Sequence, residues 1–314
     1  MFSHYTVMLE ESVDGLDIKP NGIYVDATLG GAGHSGLIRS KLTTGHLYCF
    51  DQDQIAIDNA EQVFGDDSNV TIIKSNFRHM KSELAKRGVD KIDGVLFDLG
   101  VSSMQLDVAE RGFSYTKSGP LDMRMDNSIS VTAADIVNTY SERDLAHVFD
   151  KYGEEKFSRL YAKEIVKRRE DKPFTDTLEL NEMILETIPK KFFYNAKSHP
   201  SKRVFQALRI EVNKELDVFE ETLIDCFEIL NIGGRISVIT FHSLEDKICK
   251  YYFKAKSEVR SEFKNLPVIP DEYLPLGKSV TRKPILPSKE ELDVNTRSLS
   301  AKLRIFEKER DEIS

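Results

Sequence analysis

The chain has 314 residues, 40% hydrophobic and 31% charged, with a formal net charge of -8; this describes one large or two modest globular domains and excludes a disordered or fibrous polypeptide. No apolar run approaches the roughly 18 residues of a membrane helix, and the opening MFSHYTVMLEESVDGL carries acids where a secretory signal needs a basic and then an apolar stretch, so no membrane partner and a cytoplasmic location are expected. Cys49, Cys226 and Cys249 form no C-x-x-C pair, which excludes a disulfide framework, fits a reducing compartment and argues against a metal site.

In chain order, the first third alternates short apolar runs with helical patterns. The runs are Gly22–Thr28, His46–Asp51, Val70–Ser75 and Asp93–Gly100, separated by helical spacing over Gln54–Phe64 and Phe77–Arg87. That alternation predicts an α/β fold with a parallel sheet. From Thr132 to Ile188 the pattern is helical only, including Phe157–Arg169 and Leu178–Ile188. One long helix is expected over Val204–Leu230, then a turn at Gly233-Gly234, a fifth strand over Arg235–Phe241 and a helix over Leu244–Lys256. Asn265–Ser288 holds five of the ten prolines and reads as loop, before a last strand over Ser300–Lys308. The simplest assembly is a discontinuous sheet domain, 1–107 and 206–314, interrupted by a helical domain at 108–205.

The turn after the first strand, DATLGGAGHSG, places glycines where backbone can approach a ligand and a helix start offers free N–H groups. Gly31, Gly33 and Gly36 satisfy G-x-G-x-x-G, a weak pattern alone. Asp51, ending the second strand about 20 residues on, can accept hydrogen bonds from ribose hydroxyls. A dinucleotide needs its pyrophosphate at the helix start, whereas S-adenosyl-L-methionine is cationic at its sulfonium. Asp26, Asp51 and Asp98, three acids at three strand ends, favour the methyl donor. Asp26 reads equally as a turn residue. Phe77 could lie on the adenine face or in the core, and His34 could act as a base or line the glycine turn.

The acceptor site centres on GVLFDLGVSSMQLD. An exocyclic base amine is a poor nucleophile, because its lone pair is delocalised into the ring. A fixed acceptor that holds its N–H orients the nitrogen, and Asp98 is the best-placed such group. No Pro-Cys pair exists, so attack on a ring carbon by a thiolate is disfavoured and nitrogen methylation preferred. Two further segments supply candidate substrate contacts: ERGFSYTKSGPLDMRMD with Arg111 and Arg124, and ITFHSLEDK with Phe241, His242 and Ser243. Their alternative roles are interface packing and, at Ser243, a helix cap.

These segments, with YGEEKFSRLYAKEIV, HPSKRVFQALRIEVNKEL and SAKLRIFEK, resemble the bacterial small-subunit ribosomal RNA cytosine N4-methyltransferases, the MraW/RsmH family, over nearly the whole chain. The resemblance implies a class I S-adenosylmethionine-dependent methyltransferase (Rossmann-like) sheet with an inserted all-helical domain. The implied reaction is methylation of the N4 of a P-site cytosine, rRNA position 1402, in 16S rRNA of the small subunit. It also implies cofactor contacts at Ala32, Gly33, His34, Asp51, Phe77, Asp98 and Gln105. Ala32 stands where other members carry glycine.

Two other classes share parts of this pattern: a nicotinamide-dependent oxidoreductase using the same glycines, and an RNA-binding assembly factor with a vestigial pocket. Charge by segment favours an RNA enzyme. Residues 1–107 hold 9 basic and 16 acidic side chains and 206–246 hold 3 and 9, while the insertion is close to neutral at 17 and 16. Acidity thus gathers where a cationic donor would bind. Lys163, Lys167, Arg168, Arg169, Lys190, Lys191, Lys197, Lys202 and Arg203 are candidate phosphate contacts of the insertion.

Overall fold

A computed structural model describes residues 5–194, 198–259, 262–264 and 266–312, the side chains of residues 103 and 104 excepted. The chain forms two compact units, Met1–Gly100 with Leu216–Ser314, and Val101–Glu215.

The first unit is built on a seven-stranded sheet. Its strands are β1 (Ile23–Asp26), β2 (His46–Asp51), β3 (Val70–Lys74), β4 (Ile92–Asp98), β5 (Leu230–Thr240), β6 (Gly277–Ser279) and β7 (Lys302–Lys308), in the order β3-β2-β1-β4-β5-β7-β6. Strands β1 to β5 are parallel, and β7 runs antiparallel to both β5 and β6. Strands buried on both faces read as unbroken apolar runs because alternate side chains enter opposite cores. Val25, Tyr48, Phe50, Val95 and Phe97 enter one core with Phe219, Leu223 and Phe253. Tyr24, Leu47, Cys49 and Leu96 enter the other with Val13, Ile38 and Ile57.

The helices of this unit are α1 (Leu9–Asp14), α2 (Gly33–Lys41), α3 (Gln54–Phe64) and α4 (Met80–Ala85), then α12 (Glu215–Ile229), α13 (Ser243–Ser257) and α14 (Lys289–Val294). Strand order reverses between β1 and β4, so the carboxyl ends of these two strands, at Asp26 and Asp98, flank the crevice where open α/β sheets bind ligands.

The second unit is helical: α5 (Ser103–Asp107), α6 (Ala133–Thr139), α7 (Glu142–Gly153), α8 (Ser158–Arg169), α9 (Thr177–Thr187), α10 (Lys190–Tyr194) and α11 (Ser201–Asn213). Reciprocal capping boxes, Thr132 with Asp135 and Asp176 with Glu179, start α6 and α9 by satisfying orphan N–H groups. Helix α11 lies so close to α7 that a Cβ on Gly153 would come 2.6 Å from the Arg203 carbonyl oxygen. That packing carries α11 into the helical unit, which runs from Val101 to Glu215 instead of 108–205.

Four local expectations are corrected. The single helix over Val204–Leu230 is two, because Lys214 turns left-handed at φ 53 and its ammonium pairs with Glu211 at 2.7 Å. The Gly233-Gly234 turn lies inside β5: pairing jumps from Ile92–Leu230 to Gly94–Arg235, looping out the residues between, with Gly233 at φ 80. Strand β6 sits inside the proline-rich segment. The helix over Phe77–Arg87 opens as one 3-10 turn, Phe77–His79, followed by α4.

Candidate active site

The glycine turn is shaped by Asp26. Its carboxylate is fully buried and accepts from the Thr28 N–H at 3.0 Å and the Ser35 hydroxyl at 2.6 Å, tying the loop to α2. Burial raises its pKa. Asp26 therefore fastens the turn. Gly30 and Ala32 both adopt left-handed backbone, φ 47 and 64, which costs a non-glycine residue roughly 1 kcal/mol. Of the G-x-G-x-x-G glycines, only Gly33 is demanded by its surroundings: a Cβ there would lie 2.0 Å from the Thr6 hydroxyl oxygen, whereas Gly31 and Gly36 have no neighbour within 4 Å.

Asp51 accepts from the Gly30 N–H and the Asp53 N–H, each at 2.9 Å, so it fixes the second turn of the glycine loop while keeping lone pairs on both oxygens. Burial pushes it up to about 6 against these two hydrogen bonds.

Asp98 is held differently. Its backbone N–H donates to the Thr28 hydroxyl at 2.6 Å. Oδ2 lies 3.8 Å from His34 Nδ1, and Oδ1 is buried with no hydrogen-bond partner among the described residues. An orphaned buried carboxylate oxygen is costly unless a ligand completes it. Burial pushes Asp98 up to about 6; His34 pulls it down, while Asp26, Glu245 and Glu291 push it up. Its side chain is nonetheless 26% accessible, which describes a group lining a cleft. The buried His34 ring presents Nε2 to the Val7 carbonyl oxygen at 3.0 Å. A carbonyl only accepts, so Nε2 carries a proton and Nδ1 is the atom facing Asp98. That contact is attractive when a proton resides on either Nδ1 or Oδ2.

Phe77 packs edge-on against Phe97, with centroids 5.6 Å apart at 85°, leaving part of its ring uncovered at the end of β3. Gly100 takes φ 99, and the Phe241 ring lies against it, 3.4 Å from where a Cβ would stand. The carboxyl ends of β1, β4 and β5 thus bring the Gly33 turn, His34, Asp98 and Phe241 together. Gln105, in the helical unit, is 6% exposed and exchanges hydrogen bonds with Ser102: each residue's side chain accepts from the other's N–H, at 3.1 and 3.2 Å.

Other candidates are occupied locally. His242, not Ser243, caps α13: its side chain accepts from the Glu245 N–H, and the Glu245 carboxylate accepts from the Phe241 and His242 N–H groups. Arg111 donates to the Arg124 and Met125 carbonyls at 2.9 and 3.1 Å. Arg124 forks onto both Asp122 oxygens at 2.8 Å and reaches the Ile129 carbonyl. Arg168 pairs with Glu164 and Glu186, Arg169 binds the Val137 carbonyl and Arg203 the Glu154 carbonyl. Lys197 lies outside the described residues.

Sequence reasoning missed Thr28, which anchors Asp98, and the segment Tyr5–Met8. There Val7 orients His34, the Met8 N–H donates to Glu291 at 2.9 Å, and Asn295 donates to the Tyr5 carbonyl at 3.2 Å. No residue pattern marks that segment, because its hydrogen bonds to His34, Glu291 and Asn295 are made by backbone. Among the described residues, no group of three or more His, Cys, Asp or Glu could hold a metal ion, and no helix is long and apolar enough to cross a membrane.

The described donor set fits a cationic methyl donor through two carboxylates at the carboxyl ends of β4 and β2, Asp98 and Asp51. Comparison with known proteins agrees. The family model for the MraW methylase family matches residues 1–309. A ribosomal RNA small subunit methyltransferase H of Streptococcus dysgalactiae subsp. equisimilis is 56% identical over 311 residues, covering 98% of each chain. The protein of the same name from Streptococcus pyogenes serotype M4 shows the same identity and coverage. The chain belongs to the MraW methylase family.

Proposed function

We propose that this protein methylates the N4 amine of a cytosine in small-subunit ribosomal RNA, at the P-site cytosine 1402, using S-adenosyl-L-methionine. The observation that carries this reading is the Asp98 carboxylate, partly accessible at the switch point of the sheet and with one oxygen lacking a hydrogen-bond partner among the described residues. The names of the two streptococcal relatives support the substrate class.

When bound, the donor supplies a methyl carbon made electrophilic by its sulfonium. Asp51, at the end of β2, would take the ribose hydroxyls on its remaining lone pairs. The Gly33 turn admits the donor's backbone-facing side, and the open part of Phe77 receives the adenine. Ala32 belongs to the same turn, and a contact from Gln105 is what the family resemblance implies. Asp98 has two oxygens and two duties. The carboxylate would accept the N–H of the target amine, directing its lone pair toward the methyl carbon, and take the proton released when the C–N bond forms as the S–C bond breaks and the thioether leaves. Oδ2 faces His34, which steadies the carboxylate and can share that proton.

Phe241, resting on the Gly100 turn, would stack the cytosine ring. The helical unit would then recognise the surrounding RNA. Since Arg111 and Arg124 are committed within their own loop, their role there is to shape it.

Mass spectrometry of small-subunit rRNA incubated with purified protein and donor tests the reading. One methyl group on the cytosine amine is expected, and Asp98→Ala should abolish it. Donor binding with methyl transfer to a carbon or a different base would refute the assignment. Isothermal titration with S-adenosylhomocysteine and with NAD checks the cofactor: only the first should bind.

A further inference from the structure

Helix α8 buries Ser158, Tyr161, Ala162 and Ile165, the i, i+3, i+4, i+7 stripe of a helix packed on one side. Its opposite face carries Arg159, Lys163 and Lys167 at successive turns, about 5–6 Å apart, all exposed. Of the neighbouring acids, Glu164 is paired with Arg168 and Glu170 stands exposed at the end of the helix. Lys163 and Lys167 make no ion pair among the described residues.

At the start of α8 lies α10, with the sequence KKFFY and no buried residue. Phe192, Phe193 and Tyr194 are 48%, 44% and 80% exposed. Phe192 anchors the helix through an edge contact with Phe157, centroids 5.0 Å apart, just before α8 begins. Phe193 and Tyr194 meet edge to face at 5.6 Å and leave their outer faces to solvent. Three consecutive uncovered aromatics on a five-residue helix are unfavourable in water. Exposed rings at one end of a helix that carries exposed cations are what unpaired nucleotides fit: rings stack with bases, ammonium groups meet phosphates.

We infer that α10 and the outer face of α8 form a docking surface for single-stranded RNA, with Phe193 and Tyr194 as the stacking platform and Lys163 and Lys167 as phosphate contacts. The inference rests on the methyl-transfer reading for its substrate. Charge complementarity selects RNA over an apolar protein partner.

Two double variants test it. Phe193→Ala with Tyr194→Ala spares the Phe192 anchor and should raise KM for rRNA about 10- to 100-fold, the range expected for losing one stacked base, with kcat and S-adenosylhomocysteine affinity unchanged. Lys163→Glu with Lys167→Glu should weaken RNA binding and flatten the slope of log K against log salt by about 1.4, two single-strand phosphate contacts. Unchanged KM and salt slope in variants with normal melting curves would overturn the surface. So would loss of binding to anionic vesicles with RNA affinity intact. Filter binding of the same rRNA reads the surface without turnover, so a wild-type protein that binds RNA but methylates no cytosine would sink the activity and leave the surface standing.

Discussion

Asp51 and Asp98 are both pushed up to about 6 by burial, and the sign of that shift fixes two pH dependences. Each carboxyl holds its proton more tightly folded than unfolded, where its ordinary value is 3.8. The unliganded fold therefore loses their contribution as pH rises from about 4 through 6, and the penalty is constant above. A cation binds the ionised forms. Affinity for S-adenosylmethionine should rise as pH climbs through about 6 and level off beyond it; titration calorimetry from pH 5 to 7.5 measures this, and a flat profile would mean that neither acid faces the donor. Asp51→Ala should weaken cofactor binding by about 1.5–3 kcal/mol, the range for hydrogen bonds to a charged group, with kcat nearly unchanged at saturation.

Glycine and lysine positions show how far local elements can be altered. Gly33→Ala drives a methyl group into Thr6 and should cost about 1–3 kcal/mol together with cofactor affinity; adding Thr6→Ala should recover part of both. Gly36→Ala meets open space inside α2 and should stabilise the protein by about 0.5–1 kcal/mol, measured by urea unfolding. The literal G-x-G-x-x-G match is thus only partly a structural requirement. Lys308, 2% exposed, donates to the Phe227 and Leu230 carbonyls at 2.9 and 2.8 Å, closing the end of α12. Lys308→Ala should cost about 2–4 kcal/mol by orphaning them.

The parallel strands were legible because buried strands are apolar throughout, and Asp51 and Asp98 because they end such runs. Strand β6 was not, since Gly277–Ser279 has no apolar period and forms only by pairing with β7. The break at Lys214 carries no glycine or proline to announce it. Arg111 and Arg124 stood as candidate substrate contacts because sequence shows a guanidinium but not the carbonyls already holding it.

At the scale of the molecule, the acidic total conceals a division. The sheet-forming segments 1–107 and 206–246 carry the excess of acids, and the helical insertion presents its cations outward on α8. A uniform basic coat is unnecessary when one helix face supplies the attraction.

The sheet order has a consequence for synthesis on the ribosome. Strand β4 must wait for β5 until the entire helical unit has been made. Strand β7, translated after both β5 and β6, then inserts between them. Until it does, β5 offers an open edge with Ile236, Val238 and Ile239, residues that are buried in the finished sheet, the kind of edge that pairs with other chains. A nascent chain halted before Lys302 should therefore be insoluble or rapidly degraded. The order of translation thus makes β7 a checkpoint between an aggregation-prone intermediate and a working enzyme.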